Sequence, residues 1–524
     1  MLRRVNFIWV IGALLVIRFV SMAWVPLADT TEPRYAEIAR LMLVTNDWIT
    51  PWFEPGVPFW GKPPLSFWAQ ALSFKLFGVS EFSARLPSWL ATLGTAWLLW
   101  QMAMAVSLRR VAKNAVIIYC TTSLVYVASG AVMTDAFLTL GTTWSMVAFF
   151  LASSQRVWYW RYGFFLGLAI GLLAKGPLAL VLTFAPLVLW QCLHRFVLNR
   201  GSNVSVMSSY LKELPWFSGI LLMLLVSLPW YIAAELKTPG FLNYFIVGEH
   251  FMRFIDAGWA GDLYGSAHKQ PKGMIWMQWL WATFPWGIIA LGMLIPRLFS
   301  AQGRNNVKHA FSNPLVSYLV FWTLFTPLFF TPAGNILWTY LLPSLAAFAL
   351  LLALALEYID MPMVLVNKSV RFSPWLLPVA TLVFTCWVLI KPDSVKTEAG
   401  LVAFVAEDEP APLSANETQV TSETTLYYLE EKLPFSARFY SRGNATRVTL
   451  DGLEALRESR GTINLVIPKY QFEQVSEYLH EPLQKRFENR RYILVELPAP
   501  VTEHQAPSTS GYTVKDDIHG NGDV

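Results

Sequence analysis

Residues 1–42 read MLRRVNFIWVIGALLVIRFVSMAWVPLADTTEPRYAEIARLM. Arg3 and Arg4 precede about twenty mostly apolar positions, which is long enough for one helix to cross a bilayer. The run is too long for the apolar part of a signal peptide and lacks a small-residue cleavage site. We therefore predict a retained first membrane span that starts in the cytoplasm. The chain then leaves the membrane directly into ionisable groups, beginning with Asp29 and Glu32.

Similar apolar segments recur along most of the chain. Of its 524 residues, 55% are hydrophobic and 14% are charged, and the mean hydropathy is +0.42. A soluble domain carries about 25% charged residues, so the composition predicts an α-helical polytopic membrane protein. The net charge of +5 is modest, which argues against a nucleic-acid partner. The three cysteines have no paired spacing, so neither a disulfide framework nor a cysteine metal site is indicated.

Short basic clusters between the apolar segments predict the topology, because cytoplasmic loops carry an excess of Lys and Arg. The clusters contain Arg109, Arg110 and Lys113; Arg156 and Arg161; Arg195 and Arg200; Arg297, Arg304 and Lys308; and Lys368 and Arg371. Placing all of them inside predicts about eleven or more transmembrane helices and puts every other loop outside.

The loops predicted to lie outside contain most of the unusual polar residues. They hold Asp29, Glu32, Lys62, Asp135, Lys175, Glu249, His250, Arg253, Asp256, His268 and Asn335. One interpretation is that loops are simply polar. However, Asp135 and Lys175 lie within apolar runs, where an ionisable group costs about 2.5–3.5 kcal/mol on insertion. Such groups usually line a cavity or pair with another charge, so the pattern favours one polar site at one membrane face.

The first of these loops, residues 28–82, contains two amphipathic stretches separated by a segment rich in Pro, Gly and Trp. We predict two interfacial helices that form a rim around a cavity open to water and lipid. Glu37 and Arg40 are expected on a solvated helix face. Tyr35 is expected on the apolar face.

Several residues of these loops have both a structural and a chemical interpretation. Lys62 could extend its ammonium to the membrane surface or bind a phosphate. Arg34 and Arg253 have the same alternatives, and a guanidinium can hold phosphate with two hydrogen bonds. Asp29 and Glu32 could cap a helix or act as a general base on a hydroxyl.

The C-terminal quarter differs from the apolar part. We predict a transmembrane domain over 1–391, a small α/β domain outside the membrane over 392–500, and a disordered tail over 501–524. In the small domain, TINLVIP (462–468) and RYILVEL (491–497) have the composition of strands. The stretches DGLEALRES (451–459) and YQFEQVSEYLH (470–480) have the periodicity of amphipathic helices.

The apolar part resembles a known family along most of its length. The matching stretches, in order, are TEPRYAEIARLM (31–42), DWITP (47–51), GKPPLSFWAQALSFKLFGVSEFSARLPS (61–88), MTDAFLTL (133–140), LLAKGPLALVL (172–182), LPWYIA (228–233), GEHFMRF (248–254) and NILWTYLLPSL (335–345). Together they are similar to the aminoarabinose-transferase-like (ArnT-like) bacterial glycosyltransferases. These belong to the GT-C membrane superfamily with the protein O-mannosyltransferases.

The resemblance implies a GT-C fold and an enzyme at the periplasmic face of the bacterial inner membrane. It implies transfer of a sugar, 4-amino-4-deoxy-L-arabinose in the aminoarabinose branch, from a polyprenyl phosphate to lipid A or another envelope acceptor. Polyprenyl-phosphate-linked donor, envelope acceptor and membrane lipid are then the partners. The alternatives are a protein O-mannosyltransferase-like enzyme that uses polyprenyl-phosphate mannose and, outside the enzymes, a transporter of lipid-linked sugars.

The resemblance also implies roles for particular residues. The family's catalytic aspartate begins an Asp-Glu-x-Arg-Tyr pattern in the first loop. This chain has Thr31 at the position of that aspartate, followed by Glu32, Pro33, Arg34 and Tyr35. The catalytic candidates are Asp29, Glu32 and Asp135. The candidates for donor-phosphate binding are Arg34, Lys62, Lys175, Arg253 and Tyr340, and those for other substrate contacts are Tyr35, Glu249 and His250.

A metal site is less well supported by the resemblance. Many members have Glu-Lys-Pro where this chain has Gly61-Lys62-Pro63, so that glutamate is missing. A divalent metal ion is therefore implied only through the remaining candidate ligands His250 and His268, and no other cofactor is implied.

Overall fold

A computed structural model describes residues 7–194, 210–256, 258–265, 268–358, 364–408, 424–480 and 482–499. The predicted tail over 501–524 lies outside these residues, as do Arg3, Arg4, Arg195 and Arg200 of the predicted topology signals. The chain divides into two compact units, the first comprising 1–399 with 434–439 and the second 400–433 with 440–524.

The first unit is helical, as predicted. Its α-helices are Phe7–Trp24, Thr31–Thr45, Leu65–Phe77, Glu81–Val106, Arg109–Cys120, Ser123–Ala128, Asp135–Gln155, Trp158–Lys175, Leu178–Leu193, Trp216–Lys237, Arg253–Ile255, Met274–Thr283, Trp286–Leu298, Ala301–Ser312, Pro314–Phe330, Leu345–Tyr358 and Val364–Ile390. A π-helix, Asn243–Met252, and two 3₁₀ segments, Trp338–Ser344 and Pro392–Ser394, also belong to this unit.

Five helices of the described residues are long and apolar enough to cross a membrane, or seven elements if each of two bent helix pairs forms one span. Two shorter apolar helices, Trp9–Trp24 and Leu178–Leu193, add to these. The multi-pass membrane class is therefore confirmed, although fewer helices meet this criterion than the eleven spans predicted. Some predicted spans are interrupted or charged: helix Arg109–Cys120 has only 12 residues, and helix Trp158–Lys175 includes Arg161 and Lys175.

Close packing of small residues joins two helices that carry site residues. Helix Asp135–Gln155 and helix Trp158–Lys175 meet where a Cβ on Gly167 would lie 2.6 Å from the carbonyl oxygen of Gly141. Ser145 Oγ donates to the Phe164 carbonyl at 2.8 Å across the same contact. Small residues let helix backbones approach in this way inside a membrane, and the contact aligns the ends that bear Asp135 and Lys175.

The first loop contains both predicted helices, Thr31–Thr45 and Leu65–Phe77, and a two-stranded antiparallel pair, Trp52–Glu54 with Val57–Pro58. The prediction that Glu37 and Arg40 face solvent was wrong. They are 4% and 7% exposed, and Arg40 Nε and Nη2 each donate to Glu37 at 2.7 Å. Neighbouring elements cover this helix on more than one side, so a polar stretch of sequence lies in the interior.

The second unit contains the small C-terminal α/β region. Its helices are Ala399–Glu407, of which Ala399 belongs to the first unit, Leu450–Arg460 and Phe472–Leu479. Its strands are Leu426–Tyr428, Ala445–Arg447, Ile463–Pro468, Lys485–Glu488 and Tyr492–Leu497. The short helix Phe435–Tyr440 belongs to the first unit except for Tyr440. The strand order from edge to edge is 445–447, 426–428, 463–468, 492–497 and 485–488. The first three strands are parallel to one another and the last two pairings are antiparallel. The predicted strands and amphipathic helices are confirmed.

Candidate active site

A cavity of about 380 Å³ in the first unit collects most of the predicted site residues. Those that line it are Arg34, Tyr35, Lys62, Asp135, Lys175, Glu249, His250, Arg253, His268 and Tyr340. They come from the first loop, the adjoining ends of helices 135–155 and 158–175, the π-helix 243–252, the short helix Arg253–Ile255 with the loop after it, and the 3₁₀ segment 338–344. Folding therefore brings together residues that are far apart in the sequence.

One wall of the cavity contains a continuous chain of ion pairs. Lys62 Nζ lies 3.1 Å from Glu249 Oε2, and Arg253 Nη1 lies 2.8 Å from Glu249 Oε1. Arg253 Nη2 is also 3.4 Å from Asp262 Oδ2. The π-helix and the residue that follows it thus place Glu249 between two cations.

The ion pairs keep these groups charged. Burial alone would raise the pKa of Glu249, but Lys62 and Arg253 outweigh burial and hold that pKa below its usual value. Burial would likewise lower the pKa of Lys62, yet Glu249 raises it above its usual value. The ammonium and the guanidinium are therefore both available to an anionic ligand at neutral pH.

A second ion pair lies at the adjoining helix ends. Lys175 Nζ is 2.5 Å from Asp135 Oδ1, and both residues are only 8% exposed. The ammonium also lies over the ring of Tyr340, 4.6 Å from its centroid. Gly176 follows with a φ of +73°, and a Cβ there would lie 2.6 Å from the Phe245 ring. Glycine at this turn therefore lets the chain reverse directly after Lys175.

His250 is fully engaged with backbone carbonyls. Its Nδ1 lies 2.8 Å from the Phe245 oxygen and its Nε2 lies 2.9 Å from the Lys175 oxygen. Burial lowers the pKa of His250, and the two carbonyls oppose this effect. With both ring nitrogens facing carbonyl oxygens, His250 is poorly placed to bind a metal ion.

The described residues do not fit a divalent metal site. They contain no group of three or more His, Cys, Asp or Glu side chains that could hold an ion. His268 lines the cavity, and its backbone N–H donates to Asn335 Oδ1 at 3.1 Å.

Arg34 faces the cavity without a carboxylate partner among the described residues. Its Nη1 donates to the Tyr264 carbonyl at 3.0 Å. Its guanidinium lies 5.1 Å from the Tyr35 ring centroid and 5.7 Å from that of Phe435. Arg34 Nε is buried and has no hydrogen-bond partner within the part of the chain that the structure describes. Aromatic rings and one carbonyl therefore hold this cation.

Asp29 and Glu32 are not among the described residues that line the cavity. Glu32 accepts from Arg85 Nε at 2.9 Å and Nη2 at 2.8 Å, and from the Val132 N–H at 3.1 Å. Burial would raise the pKa of Glu32, but Arg85 outweighs it and the pKa is lowered. Asp29 accepts from the N–H of Ser436 at 2.9 Å and from its hydroxyl at 2.6 Å. Thr31, by contrast, does line the cavity.

The sequence analysis missed two residues of the cavity wall. Asp262 pairs with Arg253, and the Tyr264 hydroxyl donates to the Pro58 carbonyl at 2.7 Å, which ties this segment to the first loop. Both lie in GWAGDLYG (258–265), which has no helical or strand periodicity. The only local signal was an acidic and an aromatic residue among glycines in a loop predicted to lie outside.

With this geometry established, comparisons with known proteins agree with the resemblance. The family described as dolichyl-phosphate-mannose-protein mannosyltransferase matches residues 13–245. One relative is the undecaprenyl phosphate-alpha-4-amino-4-deoxy-L-arabinose arabinosyl transferase of Aeromonas hydrophila, which is 33% identical to this chain over 338 residues. The aligned region covers 63% of this chain and 56% of the relative. For the protein of the same name from Aeromonas salmonicida, the identity is 32% and the coverages are 67% and 59%.

The fold agrees as well. The crystal structure of ArnT from Cupriavidus metallidurans bound to undecaprenyl phosphate aligns with a TM-score of 0.72, over 93% of this chain and 97% of that one, at 17% identity. Its apo form aligns with a TM-score of 0.69. The chain is ArnT-like and has the GT-C fold. It spans a little over half the length of the curated relatives it matches.

Proposed function

We propose that this ArnT-like protein is a membrane glycosyltransferase that moves a sugar from a polyprenyl phosphate to a phosphate group of lipid A or of another envelope lipid. The observation that carries the proposal is the cavity lined by four cations, Arg34, Lys62, Lys175 and Arg253, against three carboxylates. Counted without its histidines, the cavity lining therefore has one more cation than carboxylates, a balance that favours an anionic substrate. The names of the relatives, which are arabinosyl transferases, support the same reaction class.

The proposed chemistry follows from the charges. When the glycosidic C–O bond breaks, the polyprenyl phosphate leaves with negative charge that must be stabilised. Lys62 and Arg253 are held by Glu249 in a fixed arrangement, and Lys175 is held by Asp135, so these donors need little reorganisation. Cations that are already oriented act on the charge that develops in the transition state.

The cavity carboxylates favour a phosphate acceptor over a hydroxyl. Among the described lining residues, Asp135, Glu249 and Asp262 are each within ion-pair distance of a cation. A hydroxyl acceptor needs a base to remove its proton, and each of these carboxylates already faces a cationic donor of the protein instead. A phosphate oxygen is already anionic at neutral pH and needs only to be oriented. Thr31 at the position of the family's aspartate supports the same preference.

For Asp29 and Glu32, we propose a structural role that replaces the predicted catalytic one. Each has both carboxylate oxygens engaged by another segment of the chain. For the location, we propose the inner membrane of a bacterium, with the cavity and the C-terminal region on the periplasmic side. The basic clusters between the spans support this orientation.

A transfer assay in detergent tests the proposal. Purified protein is given undecaprenyl-phosphate aminoarabinose with either lipid A or a serine- and threonine-rich peptide, and products are measured by mass spectrometry. We expect sugar on a lipid A phosphate and none on the peptide. Transfer to the peptide from polyprenyl-phosphate mannose would support the mannosyltransferase alternative. Movement of the donor across proteoliposomes without transfer would support the transporter.

A further inference from the structure

We propose that Phe435 is a positioning residue that orients Arg34 toward the anionic substrate, an inference that rests on the proposed function. Phe435 is about four hundred positions from Arg34 in the sequence, yet residues 434–439 belong to the same compact unit as the first loop. The centroid of the Phe435 ring lies 5.7 Å from the guanidinium carbon of Arg34. Arg34 is the residue of this pair that lines the cavity.

The segment that carries Phe435 is attached to the first loop by hydrogen bonds. Asp29 Oδ1 accepts from the Ser436 N–H at 2.9 Å, and Oδ2 accepts from its hydroxyl at 2.6 Å. The Asp29 N–H donates to the Lys396 carbonyl at 2.8 Å, and the Glu398 N–H donates to Ser436 Oγ at 3.1 Å. Asp29 thus holds Ser436, the residue next to Phe435, close to the start of helix Thr31–Thr45.

Two further contacts fix the segment on its other side. Arg438 Nη2 lies 2.6 Å from Glu54 Oε1 in the strand pair of the first loop. Phe53 meets Phe435 edge to face, with ring centroids 5.5 Å apart. The ring of Phe435 is therefore held from two directions, and its position relative to Arg34 depends on both.

The way Arg34 is held makes the ring important. No described carboxylate pairs with Arg34, so its direction is set by the Tyr264 carbonyl and by the rings of Tyr35 and Phe435. An aromatic face attracts a guanidinium without neutralising it. Phe435 can therefore hold the cation in place while its full positive charge stays available to a phosphate. A carboxylate in the same place would cancel that charge.

The test compares three variants of the full-length protein in detergent. Phe435→Leu removes the ring that faces Arg34, and Phe435→Tyr keeps an aromatic ring there. Phe439→Leu is the control, because it removes a ring of the same segment that packs on Phe74, with ring centroids 6.2 Å apart. The readouts are direct binding of undecaprenyl phosphate and the KM and kcat of transfer. We expect Phe435→Leu to weaken binding and raise KM by about two- to tenfold with kcat nearly unchanged, which is no more than the loss expected when Arg34 itself is replaced. Phe435→Tyr and Phe439→Leu should bind as the wild type does.

A double variant separates positioning from packing. If Phe435 acts through Arg34, Phe435→Leu should have no further effect on binding in an Arg34→Gln background. Equal losses in both backgrounds, or wild-type binding by Phe435→Leu, would overturn the proposal. If Phe435→Leu does not fold, Phe435→Met repeats the test with a flexible apolar side chain; failure of both to fold would show that the ring only supports the structure.

The two proposals can fail separately. If wild-type protein binds undecaprenyl phosphate but transfers no sugar, the proposed function fails while the binding comparison still tests Phe435. If wild-type protein transfers sugar and the Phe435 variants do not differ, the positioning role alone is wrong.

Discussion

Lys62 and Arg34 both face the cavity, but they are held in different ways. Lys62 and Arg253 both pair with Glu249, and Arg253 also pairs with Asp262, so two cations are balanced by two carboxylates. Arg34 has two aromatic rings and a carbonyl as neighbours. The paired cations are fixed in position, while Arg34 supplies charge that no described carboxylate cancels.

In the proposed reaction, the ion-paired cations and Arg34 therefore have different roles. Buried ion pairs add little net stability because desolvation offsets their attraction, but they hold donors in one geometry. A single uncompensated cation attracts anions through its charge, and that effect is weakened by salt. Variants of the paired cations and of Arg34 should therefore fail in different ways.

The largest effect is expected for Lys62→Ala. It removes a phosphate donor and leaves Glu249 with Arg253 alone, so transfer should fall by about 10²–10³-fold or more. Sugar transfer and membrane abundance are measured together, and abundance should be maintained. Lys237→Ala is the matched control, because that lysine pairs with Asp47 in an exposed ion pair outside the cavity. Wild-type transfer by Lys62→Ala would contradict the assignment.

The ion pair between Arg85 and Glu32 is the next comparison, because neither residue is among those that line the described cavity. Arg85 donates to Glu32 and to the carbonyls of Met22, Val25 and Pro26, and it is 3% exposed. Arg85→Ala leaves Glu32 buried without its cation and should destabilise the protein by about 3–5 kcal/mol. Thermal unfolding in detergent measures this loss. Glu32→Gln, which keeps hydrogen-bonding capacity, should retain transfer in its folded fraction, whereas its complete inactivity while folded would support Glu32 as the base.

Arg34→Gln tests the uncompensated cation. We expect affinity for undecaprenyl phosphate to fall about tenfold in low salt, a loss of about 1.4 kcal/mol, and to become less sensitive to salt than in the wild type. Binding is measured at two ionic strengths. Arg304→Gln removes an exposed arginine from a predicted cytoplasmic cluster and should leave both quantities unchanged. An unchanged salt dependence in Arg34→Gln would argue against the role given to its charge.

The smallest effect concerns pH. The pKa of Glu249 is lowered from the usual 4.5, so its ion pairs stabilise the folded protein above that pH and are lost as pH falls through the lowered value. The pKa of Lys62 is raised from the usual 10.5, so its contribution is present below that pH and is lost only as pH rises through the raised value. The difference in unfolding temperature between wild type and Glu249→Gln should stay constant from about pH 5 to about pH 9.

The matched control for this pH series is Glu213→Gln. Glu213 pairs with Arg156, whose side chain is 76% exposed. Because exposed ion pairs contribute little to stability, we expect the unfolding temperature to change little when the charge of Glu213 is removed. A stability difference for Glu249→Gln that changes steadily across neutral pH would show that the ion pairs do not control the titration.

Several features were predictable because they depend on local composition. Asp135 and Lys175 were recognised as unusual because each interrupts an apolar run, and the structure pairs them. The strands of the C-terminal region were recognised from short β-branched runs, which became Ile463–Pro468 and Tyr492–Leu497. Glu37 and Arg40 were misjudged, because a polar pattern does not show whether another segment covers it.

The sequence by itself determined the membrane class, the GT-C resemblance and the set of polar residues that form the site, since hydropathy and charge act at the level of single segments. Only the tertiary structure decided which charges pair. Lys62 and Glu249 are 187 positions apart, Glu32 and Arg85 are 53 apart, and Asp29 and Ser436 are 407 apart. Contacts over such separations depend on how the helices pack, and they place Arg34 in the cavity wall and leave Asp29 and Glu32 outside it.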